Sequence, residues 1–183
     1  TVMPLIYIPY QFRCAKTSCF LPFNFIFFLS SILMIFVYTS VAYPAQTSFI
    51  PVTWINKVGV KVNGNSITKT ASAAWDNSGT ASLESFTGNG GVQFVASAAN
   101  ASANGRPMCG LSSTNSNASY DTIEYAIFLR NTGSVIQLQV YEKGIEKGTF
   151  GTYRVGDVFR VERVGSTIVY KKNGVTFYTS ATL

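Results

Sequence analysis

From Gln46 onward the chain is written in short runs of alternating apolar and polar residues, each closed by a turn-forming pair. No stretch there keeps the i, i+3, i+4, i+7 apolar spacing of an amphipathic helix. Val58-Gly59-Val60-Lys61-Val62 runs into Asn63-Gly64-Asn65 and out through Ile67-Thr68-Lys69-Thr70, which predicts a β-hairpin, because Asn-Gly readily takes the positive φ of a tight turn. Leu83–Phe86 and Val92-Gln93-Phe94-Val95 flank Gly88-Asn89-Gly90-Gly91, and Met108–Leu111 lies between two Asn/Ser/Ala-rich loops. The pattern is clearest in the C-terminal half. Ile123, Tyr125, Ile127 and Leu129 alternate with Glu124, Ala126 and Phe128, and Val135–Tyr141 continues after a turn. Lys143-Gly144 ends that run, Phe150–Tyr153 resumes it, and Val158–Val164, Ile168–Tyr170 and Val175–Tyr178 follow with turns between them. Roughly nine or ten short strands at this spacing predict an antiparallel sandwich or barrel and not a parallel sheet with crossover helices. There is no internal repeat of fixed period, which disfavours a propeller or solenoid.

The residues before this domain are of another kind. Phe20–Tyr38 (FLPFNFIFFLSSILMIFVY) is nearly all apolar, with Arg13 and Lys16 before it and Ser40-Val41-Ala42 after it. Basic residues, an apolar stretch and small residues in that order are the anatomy of a secretory signal cleaved after Ala42. The apolar run is long enough to be an uncleaved signal anchor instead, and the positive-inside rule then still places the following domain outside the membrane. The expected organisation is therefore a signal peptide or signal anchor over 1–42, a linker over 43–51, and a β-domain over 52–183. The domain is expected on the outer side: secreted, or on the extracellular face of a membrane that it touches only through an uncleaved N-terminal segment.

Charge and cysteine content narrow the chemistry by exclusion. The net charge is +6, and setting aside Arg13 and Lys16 leaves 12 basic and 8 acidic residues, with Lys171-Lys172 the only adjacent basic pair beyond Gln46. A nucleic-acid site wants a basic stripe interleaved with aromatics, so no nucleic-acid partner is expected. Scattered charge of this kind keeps a polar surface soluble. Cys109 is the lone cysteine of the domain and is read as a small buried thiol, since it has no partner for an internal disulfide. With no histidine in the chain, Cys–His catalysis and a Ser–His–Asp triad are both excluded.

The segment Gly156-Asp157-Val158-Phe159-Arg160-Val161-Glu162-Arg163-Val164, followed by Gly165-Ser166-Thr167-Ile168-Val169-Tyr170-Lys171-Lys172-Asn173-Gly174-Val175, resembles the closing hairpins of concanavalin A-like jelly rolls, SPRY-type modules included. Val52-Thr53-Trp54-Ile55-Asn56 and Met108-Cys109-Gly110-Leu111-Ser112 are similar to modules of that class in secreted multidomain proteins. The resemblance implies an all-β, antiparallel jelly-roll sandwich. It also implies one further strand after the Asn-Gly hairpin, so the domain is expected to be truncated before its last strand and to be part of a larger protein.

Folds of this class host both lectins and glycoside hydrolases. Retaining hydrolysis needs two facing carboxylates about 5 Å apart. Asp121 and Glu124 are three residues apart, which puts their side chains on opposite faces of a strand, and Glu142 and Glu146 straddle a Gly-containing turn. These read as ordinary solvent-facing acids. Calcium held by Asp76, Asn77, Asn115, Asn117 and Asp121 needs loops that nothing in the sequence brings together, and Asx residues in loops usually cap turns. No metal or cofactor is therefore expected. For sugar binding, an aromatic ring packs on a pyranose face while neighbouring polar groups bond its hydroxyls. Trp75-Asp76-Asn77 is the best local match and Tyr120-Asp121 the second; the competing reading makes Trp75 a packing residue, and Trp54, in an alternating strand, reads as core. Asp157 reads as a turn-former. The expectation is a non-catalytic, carbohydrate-binding module whose partners are a polysaccharide or glycan and the other domains of its parent protein, with ligand contacts from Trp75, Asp76, Asn77, Tyr120 and Asp121. The alternatives are a structural or adhesive protein-interaction module and a degenerate glycoside hydrolase.

Overall fold

The structure is a computed structural model that describes residues 49–97 and 106–180, together with the backbone of residues 3–7 and 12–13. The apolar run Phe20–Tyr38 and the expected cleavage point after Ala42 lie outside the described residues. Two compact units emerge, Thr1–Ala15 with Val52–Leu183 in one and Lys16–Pro51 in the other. Of the second unit only residues 49–51 are described.

The first unit is all-β and antiparallel. Its strands are β1 (Met3–Tyr7), β2 (Phe12–Arg13), β3 (Trp54–Val58), β4 (Val60–Asn63), β5 (Ser66–Lys69), β6 (Gly79–Ser82) and β7 (Gly90–Val95). They continue with β8 (Met108–Ser112), β9 (Tyr125–Asn131), β10 (Ile136–Glu142), β11 (Ile145–Thr149), β12 (Val158–Val164), β13 (Thr167–Lys172) and β14 (Val175–Thr179). One seven-stranded sheet has the order β11-β10-β9-β8-β1-β6-β3 and the other β14-β13-β12-β7-β2-β5-β4. A single 3-10 turn, Tyr120–Thr122, precedes β9, and no α-helix occurs among the described residues.

Alternation decides which side chains meet. In the first sheet Cys109, Leu111, Tyr125, Ile127, Leu129, Leu138 and Val140 point inward; in the second Ile67, Val92, Phe94, Phe159, Val161, Ile168 and Tyr170 do. These residues form one continuous core between the sheets, giving a sandwich-like architecture. Phe94 and Phe159, opposite each other on β7 and β12, stack with ring centroids 5.4 Å apart. Each fully buried Phe, Leu or Ile of this set contributes about 1.5–3 kcal/mol of transfer free energy. Tyr170 also spans the core to donate to Glu142 Oε1 at 3.0 Å, which satisfies a carboxylate that would otherwise be costly to bury.

Most predicted turns are present. Gly64 takes φ 55 in the β4–β5 hairpin, while Lys143-Gly144 and Asn173-Gly174 take positive φ at both residues of the β10–β11 and β13–β14 turns. Trp54 and Cys109 are buried, as expected. Asp157 is a turn-former: its Oδ2 accepts from the Arg154 amide at 2.9 Å and its Oδ1 from Asn173 at 2.8 Å. Two runs differ. Leu83–Phe86 is not a strand; β6 lies just before it and Leu83 is 62% exposed. Residues 150–153 follow β11 as irregular backbone, with Tyr153 buried in the core.

Two short strands come from the N-terminal stretch 1–42: β1 pairs with both β8 and β6, and β2 with both β5 and β7. Met3-Pro4-Leu5-Ile6-Tyr7 is uncharged and rich in residues that suit a strand, so nothing in its composition opposes that pairing.

Candidate functional site

The outward face of the first sheet is not uniformly polar. Met108 of β8, Phe128 and Arg130 of β9, Gln139 and Tyr141 of β10 and Glu146 of β11 line a cleft of about 590 Å3. Its rim comes from loops, namely Trp75, Asp76, Arg106 and Tyr120. A second, smaller apolar cluster underlies it, in which Met108, Ala126, Phe128 and Ile123 are buried and Tyr120 and Tyr141 pack against them.

Four rings make a continuous wall. Trp75 meets Tyr120 at 5.8 Å between centroids, with planes at 63°, and Phe128 at 6.2 Å. Tyr141 meets Phe128 at 5.5 Å and Tyr120 at 6.2 Å, both nearly perpendicular. Edge-to-face contacts of this kind fix ring orientation beyond simple area burial. Trp75 nevertheless stays 45% exposed, so it presents ring surface to solvent at the rim.

The Trp75 loop is held from below. Lys69 donates to the Ala74 carbonyl at 2.7 Å and to Asn77 Oδ1 at 2.6 Å, and Asn77 Nδ2 donates to the Ser72 carbonyl and to Ser72 Oγ, both at 3.2 Å. Burial lowers the Lys69 pKa from its ordinary value. Gly59, with φ 55, lies directly under this loop: a β-carbon there would sit 2.2 Å from the Asn77 carbonyl oxygen and 2.7 Å from Ala71 Cβ.

The polar groups of the cleft are arranged around Glu146. Gln139 Nε2 donates to Glu146 Oε1 at 2.7 Å and to Thr149 Oγ1 at 3.1 Å, and the Tyr141 hydroxyl donates to Glu146 Oε2 at 3.3 Å. Burial, and after it the negative charge of Glu146, pushes the Tyr141 phenol up, so it is a neutral donor throughout the physiological range. Arg130 is turned toward Gln137, to which it donates at 2.6 Å. Two buried atoms of cleft residues, Arg106 Nε and Gln139 Oε1, find no hydrogen-bond partner among the described residues. One is a donor and the other an acceptor. A hydroxyl, which is both, is the simplest group to satisfy such a pair.

Of the residues singled out by sequence, the structure brings Trp75, Asp76 and Tyr120 to one cleft. Asn77 braces the loop instead. Asp121 lies in the 3-10 turn, packed near Gly144, and does not line the cleft. Asn115 and Asn117 line a separate cavity of about 170 Å3 with Asn56 and Thr80, so the oxygen ligands considered for calcium are not gathered in one place. Asn117 Oδ1 accepts from the Ser119 amide at 2.7 Å, the side-chain-to-backbone turn expected of an Asx residue in a loop. Among the acids, Glu142 is buried and bonded to Tyr170, and Glu124 accepts from the amide and hydroxyl of Ser113. Glu146 is the one of these that faces the cleft.

Sequence reasoning missed Phe128, Tyr141, Gln139, Arg106 and Arg130. The alternation of β9 and β10 carried a signal: two large aromatics occupy positions facing away from the core, where polar residues are the norm. No family model, curated protein or solved structure matches the chain.

Proposed function

We propose that this domain is a non-catalytic carbohydrate-binding module that takes a sugar ring in the Trp75–Tyr141 cleft. The single observation that carries the reading is an aromatic wall and two unpartnered buried polar atoms meeting in one cleft. The apolar face of a pyranose packs on Trp75 and Tyr120, while its hydroxyls reach Arg106 Nε and Gln139 Oε1 and the carboxylate of Asp76 at the rim. On this reading the sandwich is a jelly roll of the concanavalin A-like kind, working outside the cell as one domain of a larger secreted or surface protein. The order of residues around Phe20–Tyr38 supports export, and the strand spacing and closing hairpins support the jelly roll.

The test is binding of the full chain to a glycan array, followed by titration of the best binder with Trp75→Ala, Tyr120→Ala and Gln139→Leu variants. Each variant is expected to weaken binding by about tenfold or more, equivalent to about 1.4 kcal/mol. Absence of glycan binding, or binding indifferent to all three substitutions, overturns the reading.

One observation favours a second reading. Two carboxylates, Asp76 and Glu146, line the same cleft, which is the minimum equipment of a glycoside hydrolase. Polysaccharide hydrolysis that disappears in Glu146→Gln would establish it.

A further inference from the structure

The register of the first sheet sets one row of side chains across the floor of the cleft. Met108 of β8 lies opposite Phe128 of β9, Phe128 opposite Gln139 of β10, and Gln139 opposite Thr149 of β11. Opposed residues on neighbouring strands project to the same face, about 5 Å apart. The amide of Gln139 therefore stands beside the Phe128 ring, with Met108 one strand further on. Gln139, Phe128 and Met108 are 5%, 5% and 1% exposed, and all three line the cleft.

The orientation of the Gln139 amide is fixed by its neighbours. Its Nε2 donates to Glu146 Oε1 and to Thr149 Oγ1, and a carboxylate oxygen only accepts, so the amide oxygen points the other way. Donation to a carboxylate also polarises the amide and makes that oxygen the stronger acceptor. Gln139 Oε1 nevertheless has no partner among the described residues. Arg106 Nε, at the rim, is the complementary case, an unmet donor on a cation. Together the two atoms disfavour ligand groups of a single kind. A carboxylate answers Arg106 but has no hydrogen for Gln139. An ammonium answers Gln139 but is repelled by Arg106. An amide carries an N–H and a C=O and answers both.

We propose that the cleft selects an N-acetylated amino sugar, an inference that rests on the carbohydrate reading of the same cleft. The sugar ring packs on Trp75 and Tyr120 at the rim. Its acetamido N–H donates to Gln139 Oε1, its acetamido carbonyl accepts from Arg106 Nε, and its methyl lies against Phe128 on the side of Met108. The hydroxyls of a plain hexose meet the two polar atoms singly and bring nothing apolar to the Phe128–Met108 part of the row. The acetamido group serves the polar and the apolar part of the row at once. Gln139 is the specificity-determining residue, because a site built to bond a ligand N–H strongly rejects the analogue that lacks it.

The experiment titrates the full chain, by calorimetry, with three oligosaccharides of equal length and linkage whose rings differ only at the second carbon: oligomers of N-acetylglucosamine, glucosamine and glucose. The N-acetylated oligomer is expected to bind about tenfold or more tighter than either of the others. In Gln139→Leu, and separately in the rim variant Arg106→Gln, its advantage over the glucose oligomer is expected to shrink to about threefold or less. Saturation-transfer NMR on the wild-type complex needs no variant, and there the acetamido methyl is expected to take up the strongest saturation of any ligand group. Equal or tighter binding of the glucose or glucosamine oligomer overturns the acetamido assignment and leaves the carbohydrate reading standing. A methyl no more saturated than the ring protons does the same. So does an advantage undiminished in Arg106→Gln or in a folded Gln139→Leu. If none of the three oligomers binds, the glycan array decides: a best binder that bears an acetamido group supports the assignment, one without it overturns it, and an array with no binder overturns both.

Discussion

Lys143 occupies a conformation that its side chain opposes. It stands at φ 50 beside Gly144 at φ 77, in the two-residue turn that joins β10 to β11. A residue with a β-carbon in the left-handed region costs roughly 1–2 kcal/mol unless it is Asn or Asp, whose short polar side chain bonds locally. The equivalent turn between β13 and β14 has Asn173 at φ 51 before Gly174, and there the Asn side chain donates to Asp157 and accepts from the Val158 amide at 2.8 Å. Lys143→Asn is therefore expected to stabilise the domain by about 0.5–1 kcal/mol and to raise the midpoint of thermal unfolding by a few degrees. Circular dichroism melts of the two chains check this, and an unchanged or lower midpoint refutes it. Such turns were legible from sequence because positive φ selects so few residue types. Lys143 was read only as a break, and its strain became visible with the backbone.

At the scale of elements, the strand pairs that were read correctly are those where alternation and burial agree, as in β9, β10, β12 and β13. One that the sequence did not reveal is β6. Gly79-Thr80-Ala81-Ser82 has no apolar signature, yet all four residues are buried, because Thr80 Oγ1 donates to the Ile55 carbonyl and Ser82 Oγ to the Glu84 carbonyl, both at 2.7 Å. Buried hydroxyls satisfied this way look like loop residues in a sequence, while the exposed Leu83 looks like core. The cleft was half legible for a related reason. Trp75 and Tyr120 stand out in polar loops, but Phe128, Tyr141 and Gln139 acquire meaning only once it is known which face of their sheet is covered. The loop that completes the cleft depends on Gly59. Gly59→Ala places a β-carbon 2.2 Å from the Asn77 carbonyl oxygen at a φ that alanine resists, so the loop must move. The expected result is a loss of about 2 kcal/mol in stability and altered Trp75 fluorescence, with weaker glycan binding where the wild type binds. Trp54 is buried, so the emission change is read against a Trp54-only background in Trp75→Phe. Unaltered emission and stability would show that the loop does not rest on this glycine.

For the whole molecule, the charged groups predict how stability follows pH. The chain has no histidine, so no side chain with an ordinary pKa titrates between about pH 5 and 8. Three carboxylates tie separate elements together. For Glu162 burial works against the charge, but donation from Lys171 and Arg160 outweighs it and holds the carboxyl below its usual range. Asp157 is likewise lowered against burial, by Asn173, the Arg154 amide and Lys172, at the junction of β12 with the β13–β14 hairpin. Glu84 is lowered against burial by the Thr53 amide, which donates to both its oxygens at 3.0 and 2.8 Å and joins the end of β6 to the start of β3. A carboxylate whose pKa is lower folded than unfolded stabilises the folded state above its ordinary value, 4.5 for Glu and 3.8 for Asp, and that contribution fades as pH falls through the depressed value. On the alkaline side the sign reverses. Burial pushes Tyr153 from 10.0 up to about 12 and Tyr170 further still, so the folded state favours the neutral phenols and loses stability as pH rises above 10.0. The unfolding midpoint is therefore expected to be flat from about pH 5 to 8, to fall below about pH 4 and to fall again above about pH 10. Glu162→Gln should cost about 1 kcal/mol at neutral pH by removing a two-donor ion pair, and make the acid limb shallower. Thermal melts from pH 2 to 11 on both proteins decide it: an acid limb of equal steepness in the variant would mean that Glu162 does not couple β12 to β13 through its charge.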